Sequence, residues 1–162
     1  MLTSDQIEAI ARETYPNVLA YCRRRTYTQA EAEDATQEVY LRLVKAAPGV
    51  HNIGRNSALV MTIARNVCID LARKRVLTDP LPDSLPQNSD SSEISLAIDS
   101  LPEELADVIE LIYSYGLSMS ETAAVLSISR FSAARRRRQA LNMLAELLSV
   151  NDAAPHSKEA HR

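Results

Sequence analysis

The sequence predicts an all-α fold of two small helical domains joined by a flexible acidic linker, and three observations carry that expectation. Aromatic residues make up only 4% of the 162 residues, with no Trp and three Gly, a composition poor for β-sandwiches and suited to helices rich in Ala, Leu, Ile and Arg. Apolar residues recur at spacings of three and four in several segments and alternate convincingly in none. Between Val76 and Ser92 the periodicity stops, and Pro80, Pro82 and Pro86 fall among serines and aspartates, as in a tether. At 46% hydrophobic content, a chain of this length can bury one medium core or two small ones.

The elements follow in order. Thr3 to Gln6 forms a capping box, and Ile7, Ile10, Ala11 and Thr14 continue at helical spacing. Pro16 is expected to open a second helix that turns Val18, Leu19 and Cys22 inward and ends in Arg23, Arg24 and Arg25. Ala30 to Lys45 is a third helix with two faces. Ala32, Ala35, Val39 and Leu43 form an apolar core stripe, and Asp34, Gln37, Glu38 and Leu41 form a neighbouring face fit for a partner. Pro48 to Asn56 reads as a loop. From Ser57 to Lys74 a long helix buries Val60, Ile63, Ala64, Val67 and Leu71 and leaves Arg65, Asn66, Arg73, Lys74 and Arg75 outside. The domain boundaries predicted are 1–75, a linker over 76–99, a second domain over 100–148 and a disordered tail over 149–162. The second domain could also begin at Ile94; Ser100 is expected to cap a helix with Pro102 in its first turn, and Leu105, Val108, Ile109 and Ile112 pack it inward.

Several function classes are disfavoured. No apolar stretch is long enough to cross a bilayer and the N-terminus lacks a basic region before an apolar one, so a cytoplasmic protein without membrane insertion is expected. Cys22 and Cys68 occupy apolar helical positions and read as buried thiols. His51, His156 and His161 share no ligand spacing, so no metal and no cofactor is expected. Asp34 and Asp70 have no matched acid or base, Ser118 and Ser120 have no nearby His, and no glycine-rich phosphate loop occurs; an enzyme is not expected.

The chemistry concentrates near the C-terminus. Gly116 to Ser129 has the pattern of a helix, a turn and a second helix: Thr122, Ala123 and Leu126 face a core, Ser127 makes the turn, Ile128 plugs the gap, and Ser129 or Ser132 caps the next helix. Arg130 to Gln139 then carries five arginines and no acid. Helix-borne guanidinium groups neutralise phosphates and can fork onto guanine, so Arg130, Ser132, Arg135, Arg136, Arg138 and Gln139 are candidate DNA contacts. The formal net charge of −3 does not oppose this, because residues 1–75 carry +3 and residues 76–100 carry −5.

With these residues in hand, the chain resembles the sigma-70 family of bacterial RNA polymerase sigma factors, in the compact extracytoplasmic-function (ECF) group that keeps regions two and four. The resemblance rests on Ala32 to Leu43, similar to the region-two polymerase-binding helix, and on Ile63 to Asp70, similar to the promoter-opening helix. Its third support is Leu101-Pro102 followed by Gly116, Leu117, Ser118, Glu121, Ala123, Leu126 and Ile128, as in region four. It implies an RNA polymerase core partner, contacted through the β′ clamp helices and the β subunit, with Asp34, Gln37, Glu38 and Leu41 on the clamp helices. It implies that His51, Asn52, Arg55, Asn56, Arg65 and Asn66 meet the non-template strand of the downstream promoter element while Arg73, Lys74 and Arg75 hold phosphates. It implies that the arginine-rich helix reads the upstream element, and that an anti-sigma factor regulates the protein. Asn52 to Ala58 is also similar to the iron-uptake branch of the group.

Three departures set further expectations. Leu59 stands where the family has Trp or Tyr, so strand opening is expected to lean on the loop and on Arg65 and Asn66. Arg137 stands where the family buries an aliphatic residue, so the helix is expected to rotate or the side chain to snorkel. Ser127 replaces a turn glycine, which is tolerable if the backbone avoids a left-handed conformation. Two other readings stay open: a helix-turn-helix regulator that binds DNA on its own, and a degenerate sigma-like protein that occupies polymerase or an anti-sigma factor without initiating.

Overall fold

The computed structural model describes residues 1–50, 56–78 and 92–153, with Thr78 and 151–153 described by backbone alone. The described residues form helices α1 (Ser4–Arg25), α2 (Gln29–Ala46), α3 (Asn56–Thr78), α4 (Glu93–Asp99), α5 (Glu103–Ile109), α6 (Met119–Leu126) and α7 (Arg130–Ala153). No helix among them is long and apolar enough to cross a membrane.

The capping box forms as the spacing predicts: Thr3 Oγ1 accepts from the Gln6 amide at 3.3 Å, and Gln6 Oε1 accepts from the Thr3 amide at 2.9 Å. Pro16, however, opens no new helix. It lies inside an unbroken α1 of 22 residues. The carbonyl that its missing N–H would have paired belongs to Arg12, and both residues are exposed, so water can take that lone pair. Helix α2 starts at the Thr28 cap, where Oγ1 accepts from the Glu31 amide at 3.1 Å.

Helices α1, α2 and α3 pack around Val18, Tyr21, Cys22, Ala32, Ala35, Val39, Leu43, Val60, Met61, Ala64 and Val67. The two cysteines meet in this core as free thiols, Sγ to Sγ 3.9 Å, with Cys68 donating to Cys22. That hydrogen bond holds the Cys22 thiol below its ordinary pKa and pushes Cys68 up, and burial adds to the rise at Cys68.

The second module docks onto the first. Val108, Leu111, Leu117, Val125 and Leu126 join the same core, with α6 lying against α3, while Leu101, Leu105, Ile109 and Ala140 form a smaller cluster of their own. Charges complete the docking. At the end of α1, Arg24 pairs with Asp99, and Arg25 pairs with Asp107 and with Glu110 at 3.0 Å while lying 3.5 Å over the Tyr21 ring. Tyr115 donates to Glu110 at 2.8 Å from the turn after α5. That turn is π-helical over Glu110–Ser114 and closes at Gly116, whose φ of 69° suits glycine.

Four boundaries differ from the sequence reading, the first being the end of α3, which runs on to Thr78 instead of stopping at Lys74. Residues 93–99, placed in the linker, are helical because Ser92 caps them, its Oγ accepting from the Ser95 amide at 3.2 Å. Ser100 does not cap α5. It ends α4 and donates to the Leu96 carbonyl at 2.9 Å, leaving Pro102 at the N-cap of α5. At the C-terminus α7 runs to Ala153 instead of ending by 148. Linker residues 79–91 and tail residues 154–162 lie outside the described residues.

Candidate polymerase and nucleic-acid interfaces

On α2 the alternation of stripes leaves one face open. Asp34, Gln37 and Leu41 are exposed and Glu38 is half-exposed, one turn apart along the helix. Val44, three residues beyond Leu41, is 53% exposed beside Leu41 at 55% and extends the face. The sequence reading missed it, although the i, i+3 spacing from Leu41 carried the signal. Arg42 braces this surface: Nε donates to Glu38 at 2.9 Å and Nη1 donates to Asp70 of α3 at 2.9 Å. Glu38 therefore both belongs to the face and ties α2 to α3.

On α3 the basic residues divide. Asn66, Arg73 and Lys74 are exposed and Arg65 is half-buried. Arg75 is committed internally, donating to Glu31 at 2.6 Å and lying 4.2 Å over the Tyr27 ring, so its guanidinium pins the end of α3 to the start of α2. Arg24, Arg25, Arg65, Arg73 and Arg75 line one wall of a cleft of about 620 Å³ whose other wall presents Asp99, Glu103, Asp107 and Glu110 from the second module. Asn56 is the first residue of α3, whereas His51, Asn52 and Arg55 lie outside the described residues. Leu59 is half-buried against the core.

The electrostatics of the docked charges follow from their count. Burial works against the Arg25 charge, but Glu110, Tyr21 and Asp107 outweigh it and hold the guanidinium well above its ordinary value. Asp107 shifts the other way. Burial pushes its carboxyl above the usual range, and Glu110 and Glu103 add to the rise while Arg25 opposes it. Both carboxylates meet the Arg25 guanidinium, and Glu110 also lies 3.9 Å from Arg24, so Arg25 is over-compensated while Asp107 has that one cation alone.

The turn between α6 and α7 has Schellman geometry, with the Ile128 amide on the Ala123 carbonyl at 3.0 Å and the Ser127 amide on the Ala124 carbonyl at 3.2 Å. Contrary to the sequence reading, Ser127 adopts the left-handed region, φ 55° and ψ 40°. The hydrogen bonds that stop α6 require that conformation whatever residue occupies it. Ser129 caps α7, its Oγ accepting from the Ser132 amide at 3.0 Å and bonding the Ser132 hydroxyl at 2.9 Å, so Ser132 serves the cap. Ala133 and Ala140 are fully buried and set the inward face. Arg136 turns toward α5, 3.9 Å from Glu104, and Arg137 snorkels, donating from Nε to the Tyr113 hydroxyl at 3.0 Å. Arg130, Phe131, Arg135, Arg138 and Gln139 remain exposed. The open face is thus narrower than the arginine count suggested, and it includes Phe131, which the search for basic residues passed over.

Comparison with known proteins agrees with this arrangement. The family model Sigma-70 region 2 matches residues 10–78, and Sigma-70, region 4 matches residues 97–146. The chain is 26% identical over 152 residues to RNA polymerase sigma factor SigZ of Bacillus subtilis (strain 168), covering 88% of this chain and 86% of that protein. It is 24% identical over 168 residues to ECF RNA polymerase sigma factor SigE of Mycolicibacterium smegmatis (strain ATCC 700084 / mc(2)155), covering 94% of this chain and 63% of that protein. The fold is similar to the sigma factor RpoE crystallised with the anti-sigma factor NepR from Bartonella quintana, with a TM-score of 0.72, 21% identity and coverage of 88% of this chain and 96% of that one. It is also similar to CnrH in complex with the cytosolic domain of CnrY, with a TM-score of 0.69, 18% identity and coverage of 91% and 90%. Two docked helical modules whose sequences match regions two and four in order, over residues 10–78 and 97–146, place the chain in the ECF group of the sigma-70 family, whose members are not enzymes but subunits directing RNA polymerase to promoters.

Proposed function

We propose that the open face of α2, Asp34, Gln37, Glu38 and Leu41 with Val44, docks on the β′ clamp helices, while the open face of α7, Arg130, Arg135, Arg138 and Gln139, reads the upstream promoter element in the major groove. The observation that carries this division is that the two faces lie on different modules and, apart from the bond of Glu38 to Arg42, stand open to solvent outside the core. An apolar pair inside a polar rim suits helix-on-helix contact, and a basic stripe without acids suits a phosphate-lined groove. Asn56, Arg65, Asn66, Arg73 and Lys74, with the loop residues His51, Asn52 and Arg55, would meet the downstream element and assist strand opening. Arg75 supports that surface by fixing the end of α3 and does not hold phosphate. With Leu59 packed inward, no aromatic on α3 offers a stacking platform, so strand opening rests on polar and basic groups and is aided by negative supercoiling.

RpoE, named above, was crystallised with the anti-sigma factor NepR, which supports an anti-sigma regulator for this chain as well, acting in the cytoplasm. The resemblance of Asn52 to Ala58 to the iron-uptake branch has no support in these relatives, and the placement adopted is the ECF group as a whole. Run-off transcription with purified core polymerase on genomic fragments tests the proposal. The full chain should direct initiation at a defined set of promoters, and replacing Arg130, Arg135, Arg138 and Gln139 together by Ala should abolish selection of the upstream element. Unchanged selection by that variant would remove α7 from promoter reading.

A further inference from the structure

We propose that Phe131 is a specificity-determining residue that reads the 5-methyl group of a thymine in the upstream promoter duplex, an inference that rests on α7 being the recognition helix. Phe131 is the only phenylalanine of the chain, and its side chain is 74% exposed and belongs to neither core cluster. Its position is the informative part. Phe131, Arg135, Arg138 and Asn142 stand at i, i+4, i+7 and i+11 along α7, all exposed, on the side opposite the fully buried Ala133 and Ala140. The ring therefore opens the same stripe that carries the basic groups, and it does so in the first helical turn, whose backbone Ser129 holds in place. In a helix-turn-helix it is the first turns of the second helix that approach base edges.

The chemistry narrows the ligand. A phenyl ring makes no conventional hydrogen bond to the polar edges of guanine, cytosine or adenine, and it gains nothing from phosphates that Arg130, Arg135 and Arg138 are better suited to hold. The one apolar group on the floor of the major groove is the thymine 5-methyl, and an apolar side chain is its matching partner. Exposing a large apolar ring in the free protein is unfavourable, and seating it on that methyl recovers the desolvation on binding.

The test uses the full chain assembled with core polymerase. A duplex library randomised over the upstream element is selected with the wild-type holoenzyme, and each selected thymine is then replaced singly by deoxyuridine, which removes the methyl and keeps every hydrogen-bonding group. One position should lose about four-fold in affinity on that change, the discrimination expected from burying one methyl-sized group. Phe131→Ala should bind thymine and uracil duplexes equally at that position, Phe131→Leu should keep part of the preference, and neither should alter the salt dependence, since no phosphate contact is lost. Indifference of the wild type to uracil at every upstream position would overturn the proposal, as would full discrimination by Phe131→Ala. A changed salt slope with no base preference would overturn it too, by placing the ring against the backbone. Failure of the recognition-helix reading looks different: Arg135→Ala with Arg138→Ala would then leave upstream selection intact at all positions.

Discussion

At the scale of single residues, the centre of the molecule turns on Arg25. It lies over Tyr21, reaches Asp107 and Glu110 across the module boundary, and is left only 15% exposed in doing so. Removing it leaves buried Asp107 without its cation and Glu110 with only the 3.9 Å contact to Arg24, so Arg25→Ala should destabilise the fold by about 3–5 kcal/mol in chemical denaturation at neutral pH. Asp107→Asn should behave in the opposite sense. Because the folded pKa of Asp107 is raised, the stability linked to its proton is fully present below the ordinary carboxylate value of 3.8 and is lost as pH rises through the raised folded value. The stability of the wild type relative to Asp107→Asn should therefore fall between acid and neutral pH. Denaturation midpoints of the two proteins across that range check the sign, and a relative stability that rises toward neutral pH contradicts it. Arg24, Asp99, Glu103 and Glu110 face the same cleft in both proteins, which is why the difference and not the wild-type curve is diagnostic.

At the scale of elements, the α6–α7 turn shows where local chemistry and the fold disagree. Ser127 holds φ 55° to complete the Schellman hydrogen bonds, a conformation that costs a side-chain-bearing residue roughly 1–2 kcal/mol and glycine almost nothing. Ser127→Gly should stabilise the protein by up to about 1 kcal/mol, less than the full strain because glycine also loosens the unfolded chain. A lower melting temperature for that variant would show that the serine is favoured there. Element existence was legible in the sequence because caps and apolar spacing coincide: the Thr3 capping box announces α1, and the stripe of Ala32, Ala35, Val39 and Leu43 announces α2. Pro16 was misread because an N1 proline and an interior proline look alike until exposure of the Arg12 turn is known. Ser127 was misread because the demand for a left-handed residue comes from hydrogen bonds to the helix it terminates. Arg136 illustrates the same limit in the candidate site, since only the position of α5 shows that it turns toward Glu104.

At the scale of the whole molecule, the sequence predicted two modules and a tether but not their docking. The pairs that join them lie far apart in the chain, Arg24 with Asp99 and Arg25 with Asp107 and Glu110, and no local pattern matches one to the other. Docking sets the acidic wall of the second module across the cleft from Arg65 and Arg73, which the downstream-element assignment needs. It leaves the faces of α2 and α7 open, which is why the division of labour between them is the central claim. Binding of core polymerase measures that claim most directly. Glu38 is a poor target because its reversal would set a lysine against Arg42 and disturb the brace to Asp70, so the informative variant combines Asp34→Lys with Leu41→Glu. In a titration of labelled full-length protein with core polymerase, the wild type should form a complex and the double variant should bind at least about tenfold more weakly with unchanged helicity, as expected when a central apolar contact and a rim charge are both lost. Wild-type affinity in the double variant would contradict the account.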